Sequence, residues 1–554
     1  MNRQIPTEES LTVEFKSDIK KLDNQEIFEA VVAFSNTEGG ELYIGVEDDG
    51  TITGAHKDHL NPITLSAYIA NNTMPPVSTR SEVVEEEKPV LKISVPKSYH
   101  AVVATVSGKI QRRRIKADGT PENVPMFPSE IATRLSDLRL LDYSALPVLE
   151  ATPDDFDLYE AAHLRKVILS YDGDRSLLEL SDTELFKALG FVREQEEKLY
   201  PTITGLLMIG KIESIKRFVP TMSASFQVLE GTMVRVNEDF VLPVLASVEK
   251  LIGFMEAWNQ DREIEMGIFR MSAPDFDKRA LREAIVNAFS HRDYSKMGRV
   301  RVSLSDEGLI VANPGGFVEG ISANNLLTAE PHGRNPLLAD ALKRVGLAEK
   351  TGRGIDRIFE GSLIYGRTLP DYSSSTSVTV SLFIPKSAPD VQIAKMVANE
   401  QKRLGRPLPI NTLLVLNELK NAPRSSLEQI AMQTNLTKSV VKVILERMLE
   451  LGLIEEYGEA RNQCFVLTDA FYKRDTAQDY SPRASIDKTH FFEQIKALAL
   501  ERNFITKADV VNLLHISDNQ ALYLIKKMVA NNELRIVQKG RYAKYVAVDL
   551  KRKD

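Results

Sequence analysis

Glu9-Ser10-Leu11-Thr12-Val13-Glu14-Phe15-Lys16, then Asn24 to Asn36, then Gly39-Gly40-Glu41-Leu42-Tyr43-Ile44-Gly45-Val46-Glu47-Asp48-Asp49-Gly50: the reading of these residues decides the fold of the N-terminal part. Ile27, Val31 and Phe34 recur at helical spacing between two short apolar runs. Asp23 or Asn24 can cap that helix with a side-chain oxygen. The pattern is strand, helix, strand, and then a turn at Asp48-Asp49-Gly50. Gly39-Gly40 lets the chain reverse out of the helix, where a positive φ is needed. Gly45 inside a strand marks a bulge or a close backbone approach. Three acids, Glu9, Glu14 and Asp48, fall at the ends of these elements, where they could converge on one metal-sized space.

At 554 residues the chain exceeds one hydrophobic core; at ~150 residues per domain, roughly three to four domains are expected. A single cysteine, Cys464, rules out a disulfide framework and a Cys-based zinc site. No apolar run is long enough for a signal peptide or a membrane span, so a cytoplasmic protein with no membrane partner is expected. The net charge of −7 argues against a wholly basic surface and leaves room for a local nucleic-acid patch. Residues 501–554 are the basic end of the chain, with 11 Lys or Arg against 6 Asp or Glu; such a run is often only a solvated surface.

Residues 1–140 read as one α+β domain. Arg112-Arg113-Arg114 lies on a strand, so its side chains alternate between faces. Either one of them meets a phosphate, or the three form a charged edge that resists aggregation. Glu9-Ser10, Val13 to Lys16, Ala33-Phe34-Ser35-Asn36-Thr37-Glu38-Gly39-Gly40 and Ile44 to Asp48 together resemble the Schlafen AlbA-type domain. Four blocks in the right order make that resemblance specific. It implies nucleic-acid binding. In the Schlafen branch it further implies a metal-dependent RNA endonuclease site, with Glu9, Glu14 and Asp48 as catalytic metal ligands and Lys16 beside the scissile phosphate. Carboxylate oxygens suit Mg²⁺ or Mn²⁺. On residue type alone, Glu9 can equally be a cap and Asp48 a turn residue.

Residues 150–275 form an intermediate α+β region, entered through a linker at 136–150. Helices are expected near 160–169, 181–189 and 241–258, and a strand at 223–229. In 276–390, Glu283 and Asn287 share one helical face. Asn313-Pro314-Gly315-Gly316 and Gly352-Arg353-Gly354 form glycine turns, the second opening a helix whose free N–H groups suit an anion. This run resembles the RecG-like branch of the GHKL-type ATPases. The resemblance implies binding of ATP or another adenine nucleotide, with Glu283 as general base, Asn287 on a metal, Gly315, Gly352 and Gly354 in the glycine boxes, and 331–351 as a lid. Asn313 stands where the family has an aspartate. Asn313 still offers a carbonyl acceptor, without charge, which weakens the case for hydrolysis. No Walker motif is present, so a helicase is not expected. Asp293 is expected to pair with Arg292 at the helix end.

Two modules close the chain, 400–475 and 485–550, each with three helices and a hairpin in the winged-helix pattern. The first carries Lys438, Ser439 and Lys442 on its presumed recognition helix and an acidic wing, Glu455, Glu456 and Glu459. The second carries Lys526, Lys527, Lys539, Arg541 and Lys544, and is the one expected to touch nucleic acid.

The fold class is therefore multidomain α+β: an N-terminal Schlafen AlbA-like α+β domain, a central GHKL-like α/β sandwich and two C-terminal winged-helix domains. Function reads as a cytosolic, ATP-responsive, DNA-binding regulator of transcription or defence. The alternative is a divalent-metal RNA endonuclease of tRNA type, serving anti-phage defence and gated by the nucleotide domain. A nucleotide-regulated scaffold is the third reading. The family resemblance also implies a homo-oligomer.

Overall fold

β1 (Val13–Lys16) and β2 (Gly40–Ile44) run parallel, with α1 (Asn24–Ser35) as the crossover between them. Asp23 caps α1 by accepting from the Gln25 N–H, which frees no helical donor into the core. Ile27, Val31 and Phe34 are fully buried, as their spacing requires. The computed structural model describes residues 5–266, 269–348, 352–422, 424–457, 463–468, 492, 494–500, 502, 504–514, 518–531, 533–538 and 543–548. These divide into two compact units: Met1–Met255, Arg282–Gly354 and Asp371–Phe383 in one, and Glu256–Leu281, Ile355–Pro370 and Ile384–Asp554 in the other.

In the first unit, α2 (Pro62–Asn71), β3 (Thr73–Met74), β4 (Arg80–Glu85), β5 (Pro89–Val95) and β6 (Ala104–Thr105) follow β2. The N-terminal sheet has the order β1-β2-β5-β4, with only the β1–β2 pair parallel. One core joins α1 and α2 to this sheet through Phe28, Val32, Leu65, Ile69, Leu91 and Ile93. A hairpin of β7 (Gln111–Ile115) and β8 (Pro121–Pro125) packs on α1, and α3 (Pro128–Asp137) ends the domain.

Gly45 has φ +98, and a Cβ there would lie 2.4 Å from the Gly54 carbonyl carbon and the Ala55 nitrogen. Its carbonyl accepts from Thr53 and Gly54 at 3.0 and 2.9 Å. This is the close backbone approach that a strand glycine signals.

Next come α4 (Leu158–Ser170), α5 (Asp182–Ala188), β9 (Val192–Gln195), β10 (Lys198–Pro201), α6 (Ile203–Ile209) and α7 (Ile212–Phe218). All seven residues of α6 are buried, which explains a run that is apolar throughout.

The central sheet has five strands: β11 (Ala224–Glu230), β12 (Met233–Phe240), β15 (Val300–Leu304), β16 (Gly308–Pro314) and β17 (Thr379–Pro385), in the order β12-β11-β15-β16-β17. Two of its strands thus come from upstream of residue 276, where the sequence placed the domain start. Between β12 and β15 lie α8 (Val244–Trp258), the β13 (Asp261–Met266)–β14 (Phe269–Pro274) hairpin and α9 (Lys278–Ser290). α10 (Pro336–Arg344) and α11 (Gly354–Leu363) separate β16 from β17. Leu338 and Leu342 of α10 are fully buried, so this part of the expected lid is a packed helix.

The second unit includes α12 (Val391–Leu404) and two small modules. The first has α13 (Ile410–Asn421), α14 (Leu427–Thr434), α15 (Lys438–Glu450) and the antiparallel pair β18 (Ile454–Tyr457) and β19 (Cys464–Leu467). The second has a helical stretch at 494–500, β20 (Ile505–Thr506), α16 (Lys507–Leu514), α17 (Asp518–Ala530), β21 (Leu534–Gln538) and β22 (Lys544–Ala547), with sheet order β20-β22-β21. Among the described residues no helix is long and apolar enough to cross a membrane.

Candidate functional site

β1 and β2 carry the N-terminal acids. Glu14 is inward-facing on β1, 4% exposed. Its carboxylate is fully engaged: Arg113 Nη1 donates at 2.8 Å, Asn123 Nδ2 reaches its two oxygens at 2.9 and 3.0 Å, and Lys16 Nζ lies at 3.2 Å. Glu9 folds back to accept the Phe15 N–H at 2.8 Å. Burial raises the Glu9 carboxyl above its ordinary value, Phe15 and Arg113 oppose that, and the charges of Glu14 and Asp48 add to it. The three acids therefore share one electrostatic field, with Asp48 exposed in the turn after β2.

They do not close further. Among the described residues no group of three His, Cys, Asp or Glu side chains is placed to hold a metal ion. Coordination needs oxygens at ~2.0–2.6 Å from one ion with free lone pairs, and those of Glu14 are taken by Arg113, Asn123 and Lys16. The set does not fit Mg²⁺ or Mn²⁺ in this conformation.

The arginine run is also committed. Arg113 is 3% exposed and faces the core. Besides Glu14 it donates to Ser10 O at 3.0 Å, Val13 O at 2.8 Å and Asn123 Oδ1 at 3.1 Å, and it lies 5.0 Å from the Phe34 ring centre. It cannot meet a phosphate from there. Arg112 pairs with Glu130 and Arg114 with Glu122, its cross-strand neighbour. Only Arg114 has a largely exposed side chain, so the charged-edge reading describes this strand best. Asn36 ties α1 to the hairpin, donating to Val103 O and Gln111 O at 2.8 and 2.9 Å.

In the central region, Glu283 is buried on α9, and Asn287, one turn on, is half-buried. A Cβ on Gly354 would lie 2.2 Å from Glu283 Oε1, so that glycine makes room for the carboxylate. Burial, with Glu283 adding to it, pushes the Tyr372 phenol upward. Gly315 and Gly352 have φ +97 and +78. A Cβ at Gly315 would lie 2.1 Å from Arg334 Nη1, and one at Gly352 would lie 2.8 Å from Pro331. Asn313 is buried and donates to the Pro314 carbonyl at 3.2 Å. The structure thus brings Glu283 to Gly354, while Gly315 and Gly352 are packed against residues 331–334. Gly354→Ala should displace Glu283 and lower local stability by about 1–3 kcal/mol through overpacking, read as faster amide exchange across α9 in the full chain.

Arg292 does not pair with the Asp293 carboxylate. It is fully buried and donates to four carbonyls: Asp293, Lys296 and Gly298 at 2.8, 3.2 and 2.6 Å, and Thr221. Asp293 instead accepts from Ser295 at 2.6 Å and from Thr133 at 3.0 Å. Burial together with Arg334, His332 and Lys343 lowers His291 to about 4, so it is uncharged at pH 7.

In the first C-terminal module, Lys438 pairs with Glu428 at 3.1 Å and Lys442 with Glu446 at 3.9 Å. In the second, Lys526 is exposed on α17 one turn from exposed Tyr523, and Lys527 lies 6.0 Å from the Phe492 ring centre. Lys539 and Arg541 fall outside the described residues.

Residues 9–120 match the family described as "Schlafen, AlbA_2". The chain carries a Schlafen AlbA_2 domain. Residues 298–382 match "Putative ATP-dependent DNA helicase recG C-terminal", and residues 408–455 match "Winged helix-turn-helix DNA-binding". Residues 135–225 match a domain of unknown function. The fused architecture expected from the sequence is therefore present. Among solved structures, the DIP2311 protein from Corynebacterium diphtheriae is similar at 20% identity and a TM-score of 0.53, over 97% of this chain and 95% of that one. That likeness concerns fold alone. No curated protein matches the chain.

The AlbA_2 match contains Glu9, Glu14, Lys16, Asp48 and all three arginines, but stops short of Asn123 and α3. Asn123 was not singled out in the sequence. Its one signal is the register: it lies directly opposite Arg113 across the β7–β8 hairpin. The RecG-type match begins after α9, so Glu283 and Asn287 rest on this chain's own geometry.

Proposed function

We propose that the protein is a nucleic-acid-binding regulator whose hold on nucleic acid responds to an adenine nucleotide. The AlbA_2, RecG-type and winged-helix domains support that reading as a set. The observation that favours binding over cutting is the Glu14 carboxylate, buried on β1 and engaged by Arg113, Asn123 and Lys16. Asn287 and the glycine turns at 315 and 352–354 are the residues to hold the nucleotide, and cations such as exposed Lys526 supply phosphate contacts.

The test uses the full chain with labelled duplex DNA and RNA, followed by fluorescence anisotropy against salt, with and without Mg-ATP. The expected result is binding that weakens steeply with salt, through counterion release, and an affinity that changes on adding ATP. Lys526→Ala should lower the salt slope by about one. Intact nucleic acid with no binding in either form would overturn the proposal.

The endonuclease remains as a second reading because Glu9 senses both Glu14 and Asp48. It requires the β7–β8 hairpin to release Glu14. Manganese-dependent cutting of RNA, lost in both Glu14→Ala and Asp48→Ala, would establish it in place of the regulator.

A further inference from the structure

Arg334 lies just upstream of α10 and is 3% exposed. Its guanidinium reaches the AlbA_2-side helix α3: Nε and Nη2 both donate to Asp137 Oδ1, at 3.1 and 2.6 Å. Nη2 also touches the Gly316 carbonyl at 3.3 Å. The remaining nitrogen, Nη1, is buried and, among the described residues, makes no hydrogen bond, with Asp293 Oδ2 at 3.8 Å. Nη1 is the atom a Gly315 Cβ would strike. Nη1 of a buried arginine is therefore turned toward the first glycine turn, with no acceptor among the described residues.

Around it, one face of α3 is fastened to the same region. Thr133 donates to Asp293 at 3.0 Å, and Arg134 donates to Glu319, three residues past Gly316, at 2.6 Å. Lys97, from the loop after β5, meets Glu319 at 3.0 Å. Thr133, Arg134 and Asp137 thus tie the last helix of the N-terminal part to the loop that follows β16. A buried donor without a partner costs free energy, and an acceptor offered at the turn would relieve it.

We propose that Arg334 is a coupling residue: an anionic nucleotide seated at Gly315-Gly316 takes its guanidinium from Asp137, and so loosens α3 from the RecG-type domain. This rests on the nucleotide reading above and gives it a route to the AlbA_2 domain. Asp137 is a partner that yields readily, because burial holds its carboxyl above the ordinary value even against the pull of Arg334. The Lys97–Glu319 pair involves neither Arg334 nor α3 and would keep the domains joined while α3 shifts. A ligand biases such an equilibrium only through contacts that differ between the two states, and the exchange of Asp137 for nucleotide is that difference.

The experiment follows amide hydrogen exchange in 128–137 and ATP affinity by calorimetry, in the full-length wild type, Asp137→Asn and, as a control, Glu319→Gln. Wild type should show faster exchange across 128–137 when ATP is bound. Asp137→Asn should exchange quickly without ATP, bind ATP about fivefold or more tightly than wild type, and show no further response. Glu319→Gln should loosen α3 yet keep both wild-type affinity and the ATP response. Nucleotide bound by wild type with unchanged exchange in 128–137, or equal affinity in Asp137→Asn, overturns the coupling and leaves the nucleotide site standing. No ATP bound by wild type or Asp137→Asn overturns both. Binding by Asp137→Asn alone supports the coupling, with Asp137 as the competitor.

Discussion

Arg113→Ala should cost the AlbA_2 domain about 3–5 kcal/mol, the range for stripping one partner from a buried ion pair. Three losses add up at this site. Glu14 is left buried on β1, with Asn123 and the half-exposed Lys16 as remaining donors. The carbonyls of Ser10 and Val13 lose the guanidinium that receives them. The Phe34 ring loses the cation stacked over it. A cost of that size is a large share of an ordinary domain's stability, about 5–15 kcal/mol, so the segment from Ser10 to Ile44 should lose much of its amide protection. Hydrogen exchange resolved by peptide is the right measurement, since several domains preclude a single two-state transition. Arg113→Ala combined with Glu14→Gln should recover part of the loss, because the uncompensated charge is then gone. Exchange that stays native in Arg113→Ala would show that the pair is not what holds β1 to the hairpin.

The same residue shows what a sequence can and cannot display. The β1-α1-β2 unit was legible because its code is local: period 3.6 at Ile27, Val31 and Phe34, Asp23 as cap, Gly39 as exit. Gly45 was legible because a glycine closing an apolar strand run, here one residue past β2, has few other uses. The alternation of Arg112, Arg113 and Arg114 announced that one would differ from its neighbours. It could not say that the middle one turns inward, because that depends on Glu14, 99 residues away along the chain. The acids were legible as a family pattern but not as a geometry, since an arginine engages Glu14 from another strand pair. In the RecG-type domain the glycines were visible and their occupants were not: Arg334 against Gly315 and Glu283 against Gly354 are contacts of tertiary packing. The upstream strands of the central sheet were not legible for a related reason. β11 joins β15 as a parallel partner across α8 and α9, and nothing local in 224–230 records which strand will lie beside it.

Arg292→Met should be strongly damaging to the turn that leads from α9 toward the RecG-type match. Methionine fills much of the same volume and accepts none of the arginine's duties. The guanidinium, fully buried, gathers the carbonyls of Asp293, Lys296 and Gly298 with that of Thr221, and so ties the turn after α9 to the chain entering β11. Asn335 holds the neighbouring carbonyls of Ser290 and Arg292 at 2.9 and 2.8 Å, so the turn is a closed set of backbone acceptors fed by two side chains. Each acceptor left buried without a donor costs about 1–3 kcal/mol. Even with water reaching some of them, a total of about 3–5 kcal/mol is expected, near the upper end for single substitutions. The arrangement explains why lysine is a poor replacement: one ammonium with three donors on a flexible stem cannot span acceptors that a planar fork reaches together. Arg292→Lys should therefore recover less than half of the loss. The measurement is exchange across 282–304 together with ATP calorimetry on the same samples. Wild-type protection in Arg292→Met would mean that the four carbonyls find other donors, and that the turn does not depend on this side chain. Lost protection with retained nucleotide binding would separate the turn from the glycine boxes, a result the shared contact of Asp293 with Arg334 argues against.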